Sequence, residues 1–392
     1  MLPLLPLDQT LHFFILLLAL GVASSLLLAR HLFQALGPRV ALCLAYAIPP
    51  LGFALWAPGN PPWAAIGVRL AWTWLVVLAP ATAALFVTAL VFRGLNAIRA
   101  GSHARSPSVP SASRRAVLQA SLSLLPAAAA SAGLEGLRAA DDDPRVPIVK
   151  MRFRDLPPDL IGLRILHLSD LHLGVSKRTA HLEALLERVA ELAPDLIVVT
   201  GDLADDLGEL ERALAVLARK SPRLGVLTCL GNHEYLHDIH RTRSIYERSA
   251  VPLLVDRGVT LVVGRAKLHV AGADDPFELS GEALTRFLER SVARGGEGAP
   301  EGAFRLLLSH RPEGFIPAAR QGVHLTLAGH THGGQLGLLG RSVFEALAPE
   351  AFLWGAYARG RSRLYTSSGF GHWFPFRLGC PTEAPLIVLE RE

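Results

Sequence analysis

The chain has 392 residues, of which 51% are hydrophobic and 19% charged, and its mean hydropathy of +0.34 is too high for a wholly soluble protein. The acidic residues are unevenly placed, because only Asp8 precedes Glu135. This division excludes a disordered chain, a fibrous protein and a plain cytosolic enzyme. We predict a membrane module in residues 1–134, a linker in residues 135–150 and a soluble domain in residues 151–392.

Four apolar runs form the predicted membrane module. Residues 12–30, 39–57 and 70–92 each reach the length of roughly 19 residues that a helix needs to cross a hydrocarbon core. A fourth run, residues 116–133, is richer in Ala and Ser, and the segment 113–133 resembles a twin-arginine export signal. We interpret the fourth run as a further span, and the sequence leaves open whether this segment is cleaved.

Arginines in the short loops orient this module. Arg30 and Arg39 flank the first loop, the second loop has no basic residue, and the third, residues 93–115, holds five arginines and no acidic residue. The positive-inside rule makes the first and third loops cytoplasmic, so four spans place the soluble domain outside the cytoplasm. Because the basic block is explained by topology, the net charge of +5 does not predict a nucleic-acid partner. If residues 116–133 are instead a surface helix, the domain is cytoplasmic.

The soluble domain alternates short apolar runs with helical patterns. Apolar residues share one helix face over residues 180–192, and residues 207–218 repeat the pattern. This alternation predicts an α/β domain with two sheets layered between helices. The predicted strands are Arg164–Leu168, Leu196–Thr200, Gly225–Leu230, Leu268–Ala271, Arg305–Leu308, His324–Leu327, Arg363–Thr366 and Pro385–Leu389.

Side chains that can bind metals follow five of these strands, at the position where open α/β sheets carry their active sites. Each short motif is weak evidence by itself, since a lone GD or SH pair is usually a turn. Together they would bury many imidazoles and carboxylates at one edge, which is costly unless cations compensate them. The motifs are Ser169-Asp170-Leu171-His172, Gly201-Asp202, Gly231-Asn232-His233-Glu234, Ser309-His310 and Gly329-His330-Thr331-His332.

The order D-x-H, GD, GNHE, H and GHTH resembles the calcineurin-like metallophosphoesterase superfamily over Arg164–Leu389. The extended GHTHGGQ sequence at residues 329–335 is similar to its membrane-anchored bacterial branch. The resemblance implies a four-layer αββα fold, two divalent metal ions and a multi-pass protein of the bacterial inner membrane. It assigns the first metal to Asp170, His172 and His332, the second to Asn232, His310 and His330, the bridging position to Asp202, the acid near the leaving group to His233, and a contact with substrate phosphate to Arg377.

The chemistry of these side chains agrees with that assignment. A bridging carboxylate holds two divalent ions about 3.5 to 4 Å apart, where they clamp a phosphate and activate a shared water as the nucleophile. With the role that the resemblance implies for His233, we expect Asp202 and His233 to be the catalytic residues. Oxygen and nitrogen ligands without a thiolate suit Mn, Fe, Zn, Co or Ni and do not select one of them.

The apolar segment Leu336–Tyr357 follows the last histidine motif and favours a lipid substrate, because loops of a domain tethered to a bilayer can enter it. We predict a hydrolase for a phosphomonoester or phosphodiester of a phospholipid or a lipid-linked envelope molecule, with the lipid bilayer as a partner. Two alternatives stay open. A cytoplasmic domain would fit a hydrolase of UDP-diacylglucosamine pyrophosphate, and loss of metal ligands would favour a non-enzymatic membrane scaffold, although none is lost here.

Overall fold

The structure is a computed structural model that describes Ala128 and residues 131–175, 177–372 and 374–392. The predicted spans 12–30, 39–57 and 70–92 lie outside the described residues, as does most of the run 116–133. In the part of the chain that the structure describes, no helix is both long and apolar enough to cross a membrane. The chain divides into two compact units, Met1–Arg138 and Ala139–Glu392.

Thirteen described strands build the second unit. They are β1 (Ile148–Phe153), β2 (Arg164–Leu168), β3 (Leu196–Thr200), β4 (Val226–Cys229), β5 (Arg257–Val263), β6 (Ala266–Gly272), β7 (Phe304–Leu308), β8 (Leu325–Ala328), β9 (Gly337–Leu338), β10 (Arg341–Ser342), β11 (Gly355–Arg359), β12 (Ser362–Thr366) and β13 (Leu386–Arg391). Five form a mixed sheet in the order β1-β13-β2-β3-β4, and six form a second in the order β11-β12-β8-β7-β6-β5. Strands β9 and β10 form a separate hairpin.

Six α-helices connect these strands. They are α1 (Thr179–Arg188), α2 (Leu207–Arg219), α3 (Asn232–Leu236), α4 (Ile239–Glu247), α5 (Gly281–Gly295) and α6 (Phe315–Arg320). Helix α2 begins after Asp206 because this carboxylate accepts the backbone N–H of Glu209 at 2.8 Å, which satisfies one of the free donors of the first turn. Its apolar positions recur at helical spacing and bury one face.

Apolar contacts stack the elements in the order helix, sheet, sheet, helix. Alternate residues of the central strands face opposite layers, so Ile165 packs between the two sheets while Leu166 packs toward helices α1 and α2. On the other side, Leu307 of the second sheet packs with Val292 of α5 and Ala318 of α6. Central strands that are buried on both faces need continuous hydrophobic runs, which is why the sequence shows them as such.

All eight predicted strands are confirmed, with ends that differ by at most two residues. The three long strands without a predicted counterpart, β1, β5 and β11, each lie at the edge of a sheet. Their residues alternate between buried and exposed or are mostly exposed, so they lack the apolar run by which the central strands are recognised. The prediction of an α/β domain with two sheets is therefore confirmed.

Candidate metal centre

The predicted metal ligands all lie just beyond the ends of parallel strands, in loops or, for Asn232, at the start of helix α3. Strands β2, β3 and β4 run parallel in the first sheet, and β7 and β8 run parallel in the second. Their carboxyl ends meet at one edge, so five loops from two sheets reach the same place. All seven predicted ligands are buried there, namely Asp170, His172, Asp202, Asn232, His310, His330 and His332.

Five of these seven residues have a left-handed backbone. The φ angles are 53° at Asp170, 48° at His172, 50° at Asp202, 71° at His330 and 48° at His332. Residues other than glycine rarely adopt this conformation, which costs about 1 kcal/mol or more at each position. Such strain persists only where the surrounding structure imposes it, and here it turns five polar side chains toward a common point.

Two glycines allow the loops to approach one another. A Cβ atom at Gly231 would collide with the carboxylate of Asp202, and one at Gly329 would collide with Ser169 and Asp170. The glycine in each motif is therefore required by close packing between loops, beyond its usual role in a turn.

Asp170, His172 and His332 form the first cluster. The Nε2 atoms of the two histidines are 3.2 Å apart, and Nε2 of His332 lies 3.4 Å from Oδ1 of Asp170. Ligand atoms of the three residues all lie within 4.8 Å of one another. Two facing imidazole nitrogens and a carboxylate oxygen are a donor set that fits a divalent transition-metal ion.

Asn232, His310 and His330 form the second cluster. Nε2 of His310 lies 3.0 Å from Oδ1 of Asn232 and 3.1 Å from Nδ1 of His330. This set combines a neutral amide oxygen with two imidazole nitrogens, and it contains no sulfur. The arrangement agrees with the residues predicted for the second metal.

Asp202 lies between the two clusters. Its Oδ2 atom is 3.3 Å from Nε2 of His310 in the second cluster and 3.7 Å from Nε2 of His172 in the first. Its other oxygen, Oδ1, accepts the backbone N–H of His233 at 2.9 Å. One oxygen is thus held by the backbone while the other faces both clusters, as a bridging ligand requires.

Burial and charge set the protonation states of the histidines. Burial by itself lowers the pKa of His310, but the negative charge of Asp202 outweighs it and raises the pKa to about 10. Burial holds the pKa of His330 well below its ordinary value, and the positive charge of Arg311 adds to this. Burial and His172 lower the pKa of His332 in the same way. Without metal, His310 is therefore charged, while His330 and His332 are neutral.

Asp205 is a site residue that the sequence analysis missed. Its Oδ2 atom lies 3.0 Å from Nδ1 of His172, and its Oδ1 atom lies 2.6 Å from Nδ1 of His233 and 3.1 Å from Nε2 of His237. Burial alone raises the pKa of Asp205, but the charges of His172 and His233 hold it well below its ordinary value. The one available signal was its position three residues after Asp202 in the same loop.

His233 is kept charged by these carboxylates. Burial lowers its pKa, but Asp202 and then Asp205 raise it to about 9. A charged imidazole beside the two clusters fits the predicted acid near the leaving group, and that role stays a prediction.

Two further buried carboxylates support the centre. Glu234 accepts the backbone N–H groups of Asp202, Leu203 and Gly231 at 3.1, 2.8 and 2.7 Å, which ties two of the loops together. Asp275 accepts a hydrogen bond from Nε of Arg311 at 3.1 Å. Arg311 directly follows the ligand His310 in the chain.

Arg377 lies behind His332. Its side chain is fully buried, and its guanidinium donates to the carbonyl oxygens of Ser368 at 2.6 Å and Gly371 at 2.8 Å. The same nitrogen is 3.1 Å from Nδ1 of His332, the ring nitrogen opposite the first cluster. These contacts favour a role for Arg377 in positioning His332, and the predicted contact with substrate phosphate stays a prediction.

Comparison with known proteins assigns the chain to a family. A family model described as calcineurin-like phosphoesterase matches residues 163–334, which contain all seven predicted ligands. An uncharacterized metallophosphoesterase of Aquifex aeolicus is 30% identical over 187 residues, covering 47% of this chain and 69% of that protein. An uncharacterized metallophosphoesterase of Campylobacter jejuni is 30% identical over 251 residues, covering 63% of this chain and 64% of its own length.

A third relative carries a membrane term in its name. The Bos taurus "Transmembrane protein with metallophosphoesterase domain" is 30% identical over 271 residues, covering 65% of this chain and 59% of the relative. The chain thus spans less than two thirds of the Campylobacter and Bos relatives. The resemblance to the superfamily is confirmed, and the membrane-anchored bacterial branch stays a prediction. The chain belongs to the calcineurin-like metallophosphoesterase family, whose members are phosphoester hydrolases that use two divalent metal ions.

Proposed function

We propose that the second unit, Ala139–Glu392, hydrolyses a phosphomonoester or phosphodiester with the help of two divalent metal ions. The observation that carries this proposal is the position of Asp202, whose Oδ2 atom lies within 3.7 Å of histidines in both clusters. A scaffold without activity would not need seven buried ligands to converge, five of them on strained backbone.

The donor atoms fit the two ions that the family uses. Asp170, His172 and His332 would hold the first, Asn232, His310 and His330 would hold the second, and Asp202 would contact both. When bound, the ions stabilise negative charge on the phosphate and lower the pKa of bound water. Carboxylate, amide and imidazole ligands suit Mn, Fe, Zn, Co or Ni.

His233 supplies a proton next to these ions. Its Nδ1 atom is engaged by Asp205 at 2.6 Å, so Nε2 is the ring nitrogen that carries the transferable proton. In the metal-free protein, the charges of Asp202 and Asp205 raise the pKa of His233 to about 9. Asp205 is not one of the proposed metal ligands, so it would still favour the charged imidazole when Asp202 binds metal. The leaving-group oxygen of a phosphoester needs such a proton when its bond to phosphorus breaks.

The proposed substrate is a phospholipid or a lipid-linked envelope molecule. Three observations support it, namely the apolar runs of membrane-spanning length in residues 1–134, the exposed leucines at positions 338, 339 and 347 after the last histidine motif, and the word "transmembrane" in the name of the Bos relative. The arginine pattern of the loops further supports an inner-membrane location with the domain outside the cytoplasm.

The first prediction concerns Asp202→Asn in the full chain, purified in detergent and reloaded separately with Mn, Fe, Zn, Co or Ni. An amide is a poor bridging ligand, so we expect kcat/KM for aryl phosphomonoesters and phosphodiesters to fall more than about a hundredfold, together with metal content. Asp155→Asn is the matched control, since this carboxylate is exposed and pairs with Arg361 at the surface. Full activity of Asp202→Asn would contradict the proposal.

The second prediction concerns His233→Ala. We expect metal content to be retained and kcat to fall about a hundredfold or more, because a general acid contributes that much. The loss should be larger for an alkyl phosphoester than for a nitrophenyl ester, whose leaving group needs no proton. His240→Ala, a change at an exposed histidine, serves as the control. Loss of metal, or an equal loss with both leaving groups, would refute the assigned role.

The third prediction concerns the pH dependence of metal binding. The pKa of His310 is raised to about 10, so this residue is protonated at pH 7 in the metal-free protein and must lose its proton to bind metal. Metal affinity should therefore increase with pH, about tenfold per unit for each proton displaced, until the pH passes the pKa of His310.

Calorimetric titration of the metal-free chain with Zn at pH 7, in two buffers of different ionisation enthalpy, counts the protons released. We expect at least one proton to be released by the wild type on binding Zn, because His310 is charged before the metal binds. Binding without proton release at pH 7 would show that His310 is already neutral.

A further inference from the structure

The hairpin of β9 and β10 follows the last histidine motif. Strand β9 pairs antiparallel with β10, and the two-residue loop between them is Leu339 and Gly340. Both loop residues have a positive φ, 52° and 79°, as in a type I′ turn. This turn favours Asn, Asp or Gly at its first position. A leucine there does not help the hairpin to fold.

The hairpin and the loop after it expose apolar side chains. Leu338, Leu339 and Leu347, which we call the apolar tip, are 67%, 96% and 83% exposed. Val343 and Phe344 are also exposed. Within the described residues, these five are nearly half of the exposed large hydrophobic side chains, although they occupy only ten positions. Such a concentration marks an interaction site rather than an ordinary surface.

The segment that leads from the metal centre into the hairpin is anchored by its own contacts. Gln335, three residues after His332, donates through its side-chain amide to the carbonyl oxygens of Phe374 at 2.8 Å and Phe376 at 2.6 Å. The ring of Phe344 lies against Gly334, where an added Cβ would be 2.6 Å from Cδ2 of the ring. The hairpin that carries Leu338 and Leu339 therefore begins from a segment that is anchored three residues after His332, a ligand of the first cluster.

The charge of the segment favours a bilayer as the occupant. Between residues 336 and 347 the only charged residues are Arg341 and Glu345, and they pair with each other at 2.7 Å. Entry into an apolar phase would thus bury no uncompensated charge. The same chain carries apolar runs of membrane-spanning length in residues 12–92, which would hold the domain close to a bilayer.

We infer that the apolar tip inserts into the lipid bilayer and holds the metal centre at the membrane surface. This inference rests on the proposed function for its purpose, since it presents the centre to phosphoesters of the headgroup region. The competing occupant is the unit Met1–Arg138 of the same chain, which would cover the tip with protein instead of lipid.

A fluorescent label on the full chain distinguishes these occupants. An NBD group is attached through Leu339→Cys in a Cys43→Ser background, because Cys229 and Cys380 are buried. The labelled protein is placed in nanodiscs of phosphatidylcholine and phosphatidylglycerol, with or without spin-labelled acyl chains. Val262→Cys on the edge strand β5, 68% exposed, is the control position.

We expect spin-labelled lipid to quench the label at position 339 several-fold more than the label at position 262, and aqueous dithionite to reduce it more slowly. Free reduction by dithionite would show that the tip is in water. Protection from dithionite without quenching by lipid would show that protein covers it. Either result would overturn the inference.

The variant Leu339→Asn tests the tip without disturbing the turn, because asparagine suits the left-handed position. A label introduced by Leu347→Cys should be quenched several-fold less by lipid when Leu339→Asn is also present, whereas hydrolysis of a soluble aryl phosphate should not change. Unchanged quenching would contradict insertion of residue 339. Quenching needs no catalysis, so inactive protein with a quenched tip would contradict only the proposed function, and active protein with an unquenched tip only this inference.

Discussion

The structure depends on one buried carboxylate between two groups of imidazoles. Burial raises the pKa of Asp202, yet the charges of His310 and His233 hold it well below its ordinary value. The charged form is stable only because five loops bring their polar side chains to the same point. Each cluster takes ligands from loops of both sheets, so the apolar layer that packs the sheets together also brings the ligands of each cluster together. The geometry of the metal centre therefore depends on the packing of the apolar core.

The strained backbone at five ligand positions is held by a second set of buried polar groups. Glu234 joins the loops of Asp202 and Gly231, and Arg377 joins the last segment of the domain to His332. Asp205 has two roles, because it fixes one metal ligand and the proposed acid with its two oxygens. A shared partner couples metal binding to proton donation, since a movement of His172 would also change the surroundings of His233.

The sequence predicted the centre of the fold better than its edges. Central strands such as β3 are buried on both faces and appear as apolar runs, whereas β5 and β11 are half exposed and have no such run. The ligand candidates could be found because each follows a predicted strand. Asp205 could not be assigned, because its importance arises from the approach of His172 and His233 from other loops. The burial of Arg377 could not be predicted from the sequence either, since an arginine in a loop is usually exposed.

Substrate specificity must be determined by residues of the domain other than the seven metal ligands. Seven buried side chains on strained loops leave little freedom at the metals, and the donor types would serve many phosphoesters equally well. Residues 336–357, between the last ligand and strand β12, are the segment that reaches from His332 to the exposed surface. Its leucine in a left-handed turn position contributes nothing to folding that asparagine would not provide. A surface contact is the simplest physical reason for a leucine there, and in a chain with apolar runs of membrane-spanning length this favours lipid.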